Sequence, residues 1–230
     1  VAVGDLGQTM LENENSASQA TEVSDKTAIY FVGDIMLGRD VERKSSVSGN
    51  DYPYQNITVD NDKAFAVANF ESAIPEQHIH TPNNTFRFST NPDFLPELRA
   101  AGFSHLSLAN NHSFDYGLAG YNNTVSSLWD NNFVPFGHPT VFSTSSVTVL
   151  NLQGKRIALL ALHTLFNYPD PQNIRNVLNY ANQISDIQIV YVHWGEEYSE
   201  VASASQHKLA SVLAENGTDI IIGHHPHVVQ

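Results

Sequence analysis

The chain is expected to be an α/β protein, a layered sandwich in which strands and helices alternate. Three observations predict this. Short, almost uninterrupted apolar runs rich in β-branched and aromatic residues recur along the chain, the pattern of strands buried on both faces. Between them lie segments whose apolar residues return every three or four positions, the helical period. Finally, 230 residues, 41% of them hydrophobic and 15% charged, can enclose a sizeable core, which argues against wholesale disorder.

Residues 1–26, which include GQTMLENENSASQATEVSDK, read as a flexible polar leader ahead of a domain over 27–230. The missing initial Met fits either a signal peptide or membrane anchor before Val1 or an arbitrary boundary. TAIYFVGD (27–34) is then a strand ending at Gly-Asp, and AFAVANFE (64–71) repeats that form with a carboxylate at its end. In TNPDFLPELRAAG, Asn91 caps a helix, Pro92 suits its first turn and Gly102 its stop. SHLSLANNH (104–112) is a third strand, closing on Asn-Asn-His. Leu118, Tyr121, Val125 and Leu128 mark an amphipathic helix, and NFVPFG a short strand. SVTVLNLQGKRIALLAL is a hairpin turning near Gln153-Gly154. Asp170-Pro171 opens a helix with Ile174, Val177, Leu178 and Ala181 on one face. IQIVYVHWG (187–195) is a strand ending in His193, and ASQHKLASVLAENG a helix closed by Gly217. TDIIIGHHPH is a last strand, delivering His224, His225 and His227.

Composition removes several function classes. A net charge of −13 with no cluster of Lys or Arg argues against nucleic acid, whose phosphates must be neutralised by basic side chains. An acidic surface also suits an anionic membrane or polyanion poorly unless a metal supplies positive charge locally. Cysteine is absent, so disulfides and thiolate metal sites are impossible and any metal must take nitrogen and oxygen ligands. No run of about 18 apolar residues is present to span a membrane. FVGDIMLGRD has neither the glycine spacing of a dinucleotide site nor a P-loop lysine. His78 and His80 have metal-like spacing but fall in a polar loop and read as surface.

What remains is a pattern of strand ends. Asp34, Glu71, Asn111-His112, His193 and the terminal histidines all stand at the C-terminal ends of expected strands. Ligands of open α/β sheets bind outside those ends, where loops from several strands converge. A single histidine there is usually structural. Donors at every one of these ends, in a chain without cysteine, point to a divalent metal held by carboxylate, amide and imidazole.

Five segments, GDIMLGR (33–39), NFESAI (69–74), SLANNHSFDYG (107–117), VHWGEEY (192–198) and IIGHHPHVVQ (221–230), together carry a family resemblance. In this order they resemble the D-x-H, G-D, G-N-H-[DE], H and G-H-x-H pattern of the calcineurin-like metallophosphoesterases. More closely they resemble the bacterial capsule-synthesis, poly-γ-glutamate (CapA-type) branch of that superfamily. The resemblance implies a metallophosphoesterase-like layered α/β sandwich, and suggests that the domain over 27–230 stops short of its C-terminal strands. It implies Asp34, Glu71, Asn111, His193, His225 and His227 as metal ligands, Glu71 being shared. His193, His225 and Asn111 would serve one ion, Asp34 and His227 the other. It implies His112 as the group acting on the leaving atom. Met36 stands where the pattern has a histidine ligand, and a thioether is a poor ligand for hard or borderline cations. One firmly bound ion (Mn, Zn, Fe or Ca) is therefore expected, with the site of Asp34 and His227 the weaker.

The implied chemistry is hydrolysis: a metal acidifies bound water and an imidazole protonates the departing oxygen or nitrogen. Arg39, Arg87, His224 and Glu196 are candidate substrate-binding groups, the arginines because a guanidinium matches carboxylate or phosphate bidentately. Two functions stay open. One is a metal-dependent hydrolase of a phosphoester or γ-glutamyl-type amide in capsule or poly-γ-glutamate synthesis or export. The other is a non-catalytic subunit that binds or scaffolds the anionic polymer beside membrane synthase subunits. Either implies an extracytoplasmic place at the cell envelope, with a membrane anchor in the full-length protein.

Overall fold

The computed structural model describes residues 26–57, 59–60, 62–166 and 168–230. The leader expected over 1–26 lies outside these, Lys26 excepted. Among the described residues, eight strands form two four-stranded sheets. The first is wholly parallel: β1 (Ala28–Ile35), β2 (Ala64–Phe70), β3 (Phe103–Ser107) and β4 (Val134–Phe136), in that order. The second runs β5 (Thr148–Leu152), β6 (Lys155–His163), β7 (Ile187–His193) and β8 (Ile220–His224). It is parallel except for the β5–β6 hairpin. The helices are α1 (Arg39–Ser48), α2 (Leu95–Ala100), α3 (Gly117–Asp130), α4 (Pro171–Ile184) and α5 (Ala204–Glu215).

The inner strands are buried on both faces because each sheet is covered on both there. Side chains alternate, so Ala66, Ala68 and Phe70 of β2 face a core shared with α2 and α3, while Val67 points the other way. On β6, Ala158, Leu160 and Leu162 meet Ile174, Val177, Leu178 and Ala181 of α4 and Leu209 and Leu213 of α5. Their neighbours Ile157, Leu159 and Ala161 turn inward with Tyr191 to meet Val67 and Phe136 of the first sheet. The layers are therefore helix, sheet, sheet, helix. Each fully buried Leu, Ile or Phe contributes about 1.5–3 kcal/mol by leaving water.

Local chemistry sets the boundaries. Asp170 accepts from the Asn173 N–H at 3.2 Å and Pro171 opens α4. Ser203 and Gln206 form a reciprocal capping box on α5. The hairpin turns on Gln153 (φ +51°) and Gly154 (φ +77°), the pair of left-handed residues a two-residue loop needs to match strand twist.

Four expectations need correction. The strand expected over 104–112 stops at Ser107, and its Asn-Asn-His is loop. Leu118 is 65% exposed, since the buried stripe of α3 runs through Gly120, Thr124 and Leu128, flanked by Tyr121 and Val125. β1 is not buried on both faces: as an edge strand it leaves Tyr30 and Val32 exposed. Helix α1 has no counterpart among the expected elements, because RDVERKSSVS is mostly polar, with Val41 and Val47 its apolar residues, and Ser45 is the residue it buries.

Candidate metal centre

Parallel register brings distant residues together. Along β6, β7 and β8 it sets His163 beside His193 and His193 beside His224, in a row across the C-terminal ends. In the first sheet Asp34 lies against Asn69, and the Glu71 N–H donates to the Ile35 carbonyl at 2.9 Å, fixing the chain just past β2. The loop after β3 is shaped by Asn110. Its amide nitrogen donates to Asn69 Oδ1 (3.0 Å) and the Phe70 carbonyl (2.9 Å), while its oxygen accepts from the His112 N–H (3.0 Å). That anchoring presents Asn111, whose Oδ1 is 2.7 Å from His193 Nε2.

Beyond β8 the chain bends back through His225 (φ +96°) and His227 (φ +58°), a left-handed conformation that residues with a Cβ adopt at a cost. The bend returns the His225 N–H to Asp34 Oδ2 at 3.0 Å and His227 Nδ1 to the same oxygen at 3.1 Å. The loop after β7 is pinned to it, Tyr198 N–H donating to the Pro226 carbonyl at 2.7 Å. Asp34 Oδ1 points the other way, accepting from Asn69 Nδ2 (2.8 Å) and meeting His224 Nδ1 (2.9 Å).

Among the described residues, four overlapping donor sets result: two share Glu71, and the others are Asp34, His193 and His224, and Glu197, His225 and His227. Glu71, His193 and His225 each place a ligand atom within 4.8 Å of the others, and so do Asp34, Glu71 and His227. Glu71 belongs to both, and Asn111 adjoins the first through His193. Burial raises the Glu71 carboxyl, the charge of Asp34 beside it raises it further, and together they push it up to about 9. Burial opposes ionisation of Asp34 too, but hydrogen bonds from His193, His224 and His227 outweigh it and hold that carboxyl below its ordinary value. Burial lowers His193, His224 and His225, whereas the bond to Asp34 raises His227.

The donors fit a divalent cation. Glu71 Oε2 and His225 Nδ1 are buried with no hydrogen-bond partner, a costly state that a shared ion relieves. Two carboxylates and neutral imidazoles packed together are the donor chemistry of Mn, Zn or Fe, and a cation reverses the field that keeps Glu71 protonated.

Of the other expected site residues, His112 and His224 adjoin the cluster, while Arg39, Arg87 and Glu196 belong to no donor set. His112 is buried at the rim, Nδ1 2.8 Å from Asp115 Oδ2 and Nε2 3.8 Å from Glu71 Oε1, with its ring stacked 3.9 Å from that of Phe88. His224, expected to meet substrate, has a side chain only 1% exposed and sits behind Asp34 and His193. Arg39 donates to the Thr85 carbonyl and covers the outer face of Phe88 at 4.4 Å. Arg87 donates to the Asp115 carbonyl and lies over Tyr116. Glu196 is exposed and joins no donor set; its neighbour Glu197 does, with His225 and His227. Met36 Sδ accepts from the Gly38 N–H at 3.2 Å. His78 and His80, read as surface, are bridged by Glu42 at 2.6 and 2.7 Å. Sequence reasoning missed Asp115, His163 and Glu197. A carboxylate three residues after His112 and a histidine ending one more apolar run were signals for the first two.

A family model described as "Bacterial capsule synthesis protein PGA_cap" matches residues 28–230. The chain belongs to the bacterial capsule synthesis protein PGA_cap family. The metallophosphoesterase-like layered sandwich implied by that family is the architecture observed. Among curated relatives, "PGA biosynthesis protein CapA" of Bacillus subtilis (strain 168) is 29% identical over 227 residues, which is 91% of this chain and 60% of that protein. "Capsule biosynthesis protein CapA" of Bacillus anthracis is 28% identical over 229 residues, 90% of this chain and 56% of that protein. The chain thus spans somewhat more than half the length of the relatives it matches. Among solved structures, the crystal structure of a hypothetical protein from Thermus thermophilus is similar with a TM-score of 0.48 and 20% identity, over 87% of this chain and 68% of that one.

Proposed function

We propose that this PGA_cap domain is a metal-dependent hydrolase of capsule polymer metabolism, acting on a phosphoester or a γ-glutamyl-type amide. One observation carries the reading: buried Glu71 Oε2 and His225 Nδ1, without partners, belong to a cluster of carboxylates and imidazoles gathered from both sheets. Glu71, His193, His225 and Asn111 would hold one ion firmly, and Asp34, Glu71 and His227 would hold a second more weakly. An ion bound there supplies Lewis acidity toward a phosphoryl or acyl oxygen and lowers the pKa of water.

The chain's own residues supply the rest. The Asp115 carboxylate accepts from His112 Nδ1–H, which orients the ring so that Nε2, once protonated, hands its proton to a leaving oxygen or nitrogen. Phe88 clamps the imidazole plane from one side, and Arg39 backs Phe88 from the other. Asn69 and His224 fix Asp34 through Oδ1, while the His225 N–H and His227 hold Oδ2. A cell-envelope location, an anionic polymer such as poly-γ-glutamate as the handled chain, and association with membrane synthase subunits belong to the same proposal. Among the described residues no helix is long and apolar enough to cross a membrane.

Hydrolysis of an aryl phosphate and of poly-γ-glutamate by the metal-loaded protein and by His112→Ala tests the reading. Turnover that falls about 10²–10⁴-fold in the variant supports it. Turnover indifferent to the change removes His112 as the acid. Polymer binding without turnover assigns the domain to the non-catalytic reading instead.

A further inference from the structure

We propose that Glu197 is a further metal ligand, completing the coordination of the ion on the Asp34–Glu71–His227 side. This rests on the proposed function and goes beyond it, since that reading leaves the second ion weakly held.

The two donor sets that share Glu71 are unequal. The first has four residues once Asn111 is counted; the second has three, and Met36 does not add a fourth because its sulfur is turned onto the Gly38 N–H. His224 is no substitute either. It forms a set of its own with Asp34 and His193, but meets Asp34 at Oδ1 (2.9 Å) and not at Oδ2, where His227 and the His225 N–H lie. A fourth donor must therefore come from the side of His227. Glu197 is placed there: its carboxylate forms a set with His225 and His227 in which all ligand atoms lie within 4.8 Å of one another.

The loop that carries Glu197 is built for this position. Gly195 turns it at φ +86° and Tyr198 takes φ +62°, strained for a residue with a side chain. The Tyr198 N–H is tied at 2.7 Å to the carbonyl of Pro226, between the two histidines, and its ring lies 6.0 Å from that of His227. Loop and histidine turn are thus tied together, with Glu197 near His225 and His227 although it is exposed. A third carboxylate also makes the second position oxygen-rich, and so favours Mn²⁺ over softer ions.

Isothermal titration of the metal-free chain with Mn²⁺, paired with electron paramagnetic resonance of free Mn²⁺, reads this without reference to activity. Wild type is expected to take up two ions. Glu197→Gln keeps the tighter ion unchanged and binds the second at least tenfold more weakly, Glu197→Asp recovers part of the loss, and Glu196→Gln behaves as wild type. Circular dichroism confirms that each variant folds. A Glu197→Gln isotherm that overlays a two-site wild type overturns this inference and leaves the proposed function standing. A wild type that binds no ion overturns both.

Discussion

Glu71 gives the sharpest prediction, because ion binding there must expel a proton. In the metal-free protein its carboxyl is pushed up to about 9 from an ordinary 4.5, so at pH 7 it is protonated, and a bound cation requires it ionised. One proton exchanged for one ion makes affinity rise about tenfold, or about 1.4 kcal/mol, per pH unit. That slope extends from pH 7 toward 9 and flattens above, where Glu71 is already ionised. His193, His224 and His225, held down by burial, are neutral across this range and release nothing. His227, raised by Asp34, adds its own release at the lower end. The assay is calorimetric titration with Mn²⁺ in two buffers of different ionisation enthalpy, at steps from pH 6.5 to 9.5. Release of close to one proton with the first, tighter ion at pH 8 is expected, and Glu71→Gln abolishes it along with tight binding. Affinity that is flat between pH 7 and 8.5 refutes the assignment of Glu71 as a shared, proton-holding ligand.

Asp115→Asn leaves His112 in place but removes the acceptor that fixes its tautomer, so turnover falls about ten- to hundredfold with metal content unchanged; steady-state rates on an aryl phosphate check it. Gly223→Ala places a Cβ 2.5 Å from the indole nitrogen of Trp194, so the Trp194 ring or β8 must shift. Unfolding in urea is expected to show a loss of about 1–3 kcal/mol, with metal affinity falling in parallel. Leu178→Ala, fully buried between α4 and the second sheet, costs about 2–5 kcal/mol by the same measurement yet leaves metal affinity unchanged, because it lies away from the strand ends.

The parts of the fold legible in sequence are those that one strong local signal specifies. The four apolar residues chosen for α4 are all buried, and the turn at Gln153-Gly154 forms as expected. Helix α1 leaves no such signal, because a polar helix that buries a single serine needs little apolar period. The extent of β3 is overstated by sequence because Leu108 and Ala109, though buried, belong to the loop that carries Asn110, and burial alone does not distinguish strand from packed loop. For the candidate site, strand ends showed which residues converge but not which way they face. Only register and the left-handed turn at His225 and His227 put His224 behind Asp34 and His227 in front. The same limit hid the difference between Glu196 and Glu197, adjacent carboxylates of which only the second joins the histidines.

The two sheets together are proposed to build a divalent cation site. Elemental analysis of protein purified without a histidine tag, before and after reconstitution with Mn, Zn, Fe or Ca, tests it most directly. At least one ion per chain is predicted, and His193→Ala and His225→Ala should lose it while keeping their fold. No retained ion after reconstitution, or variants that hold as much as the wild type, would contradict the account.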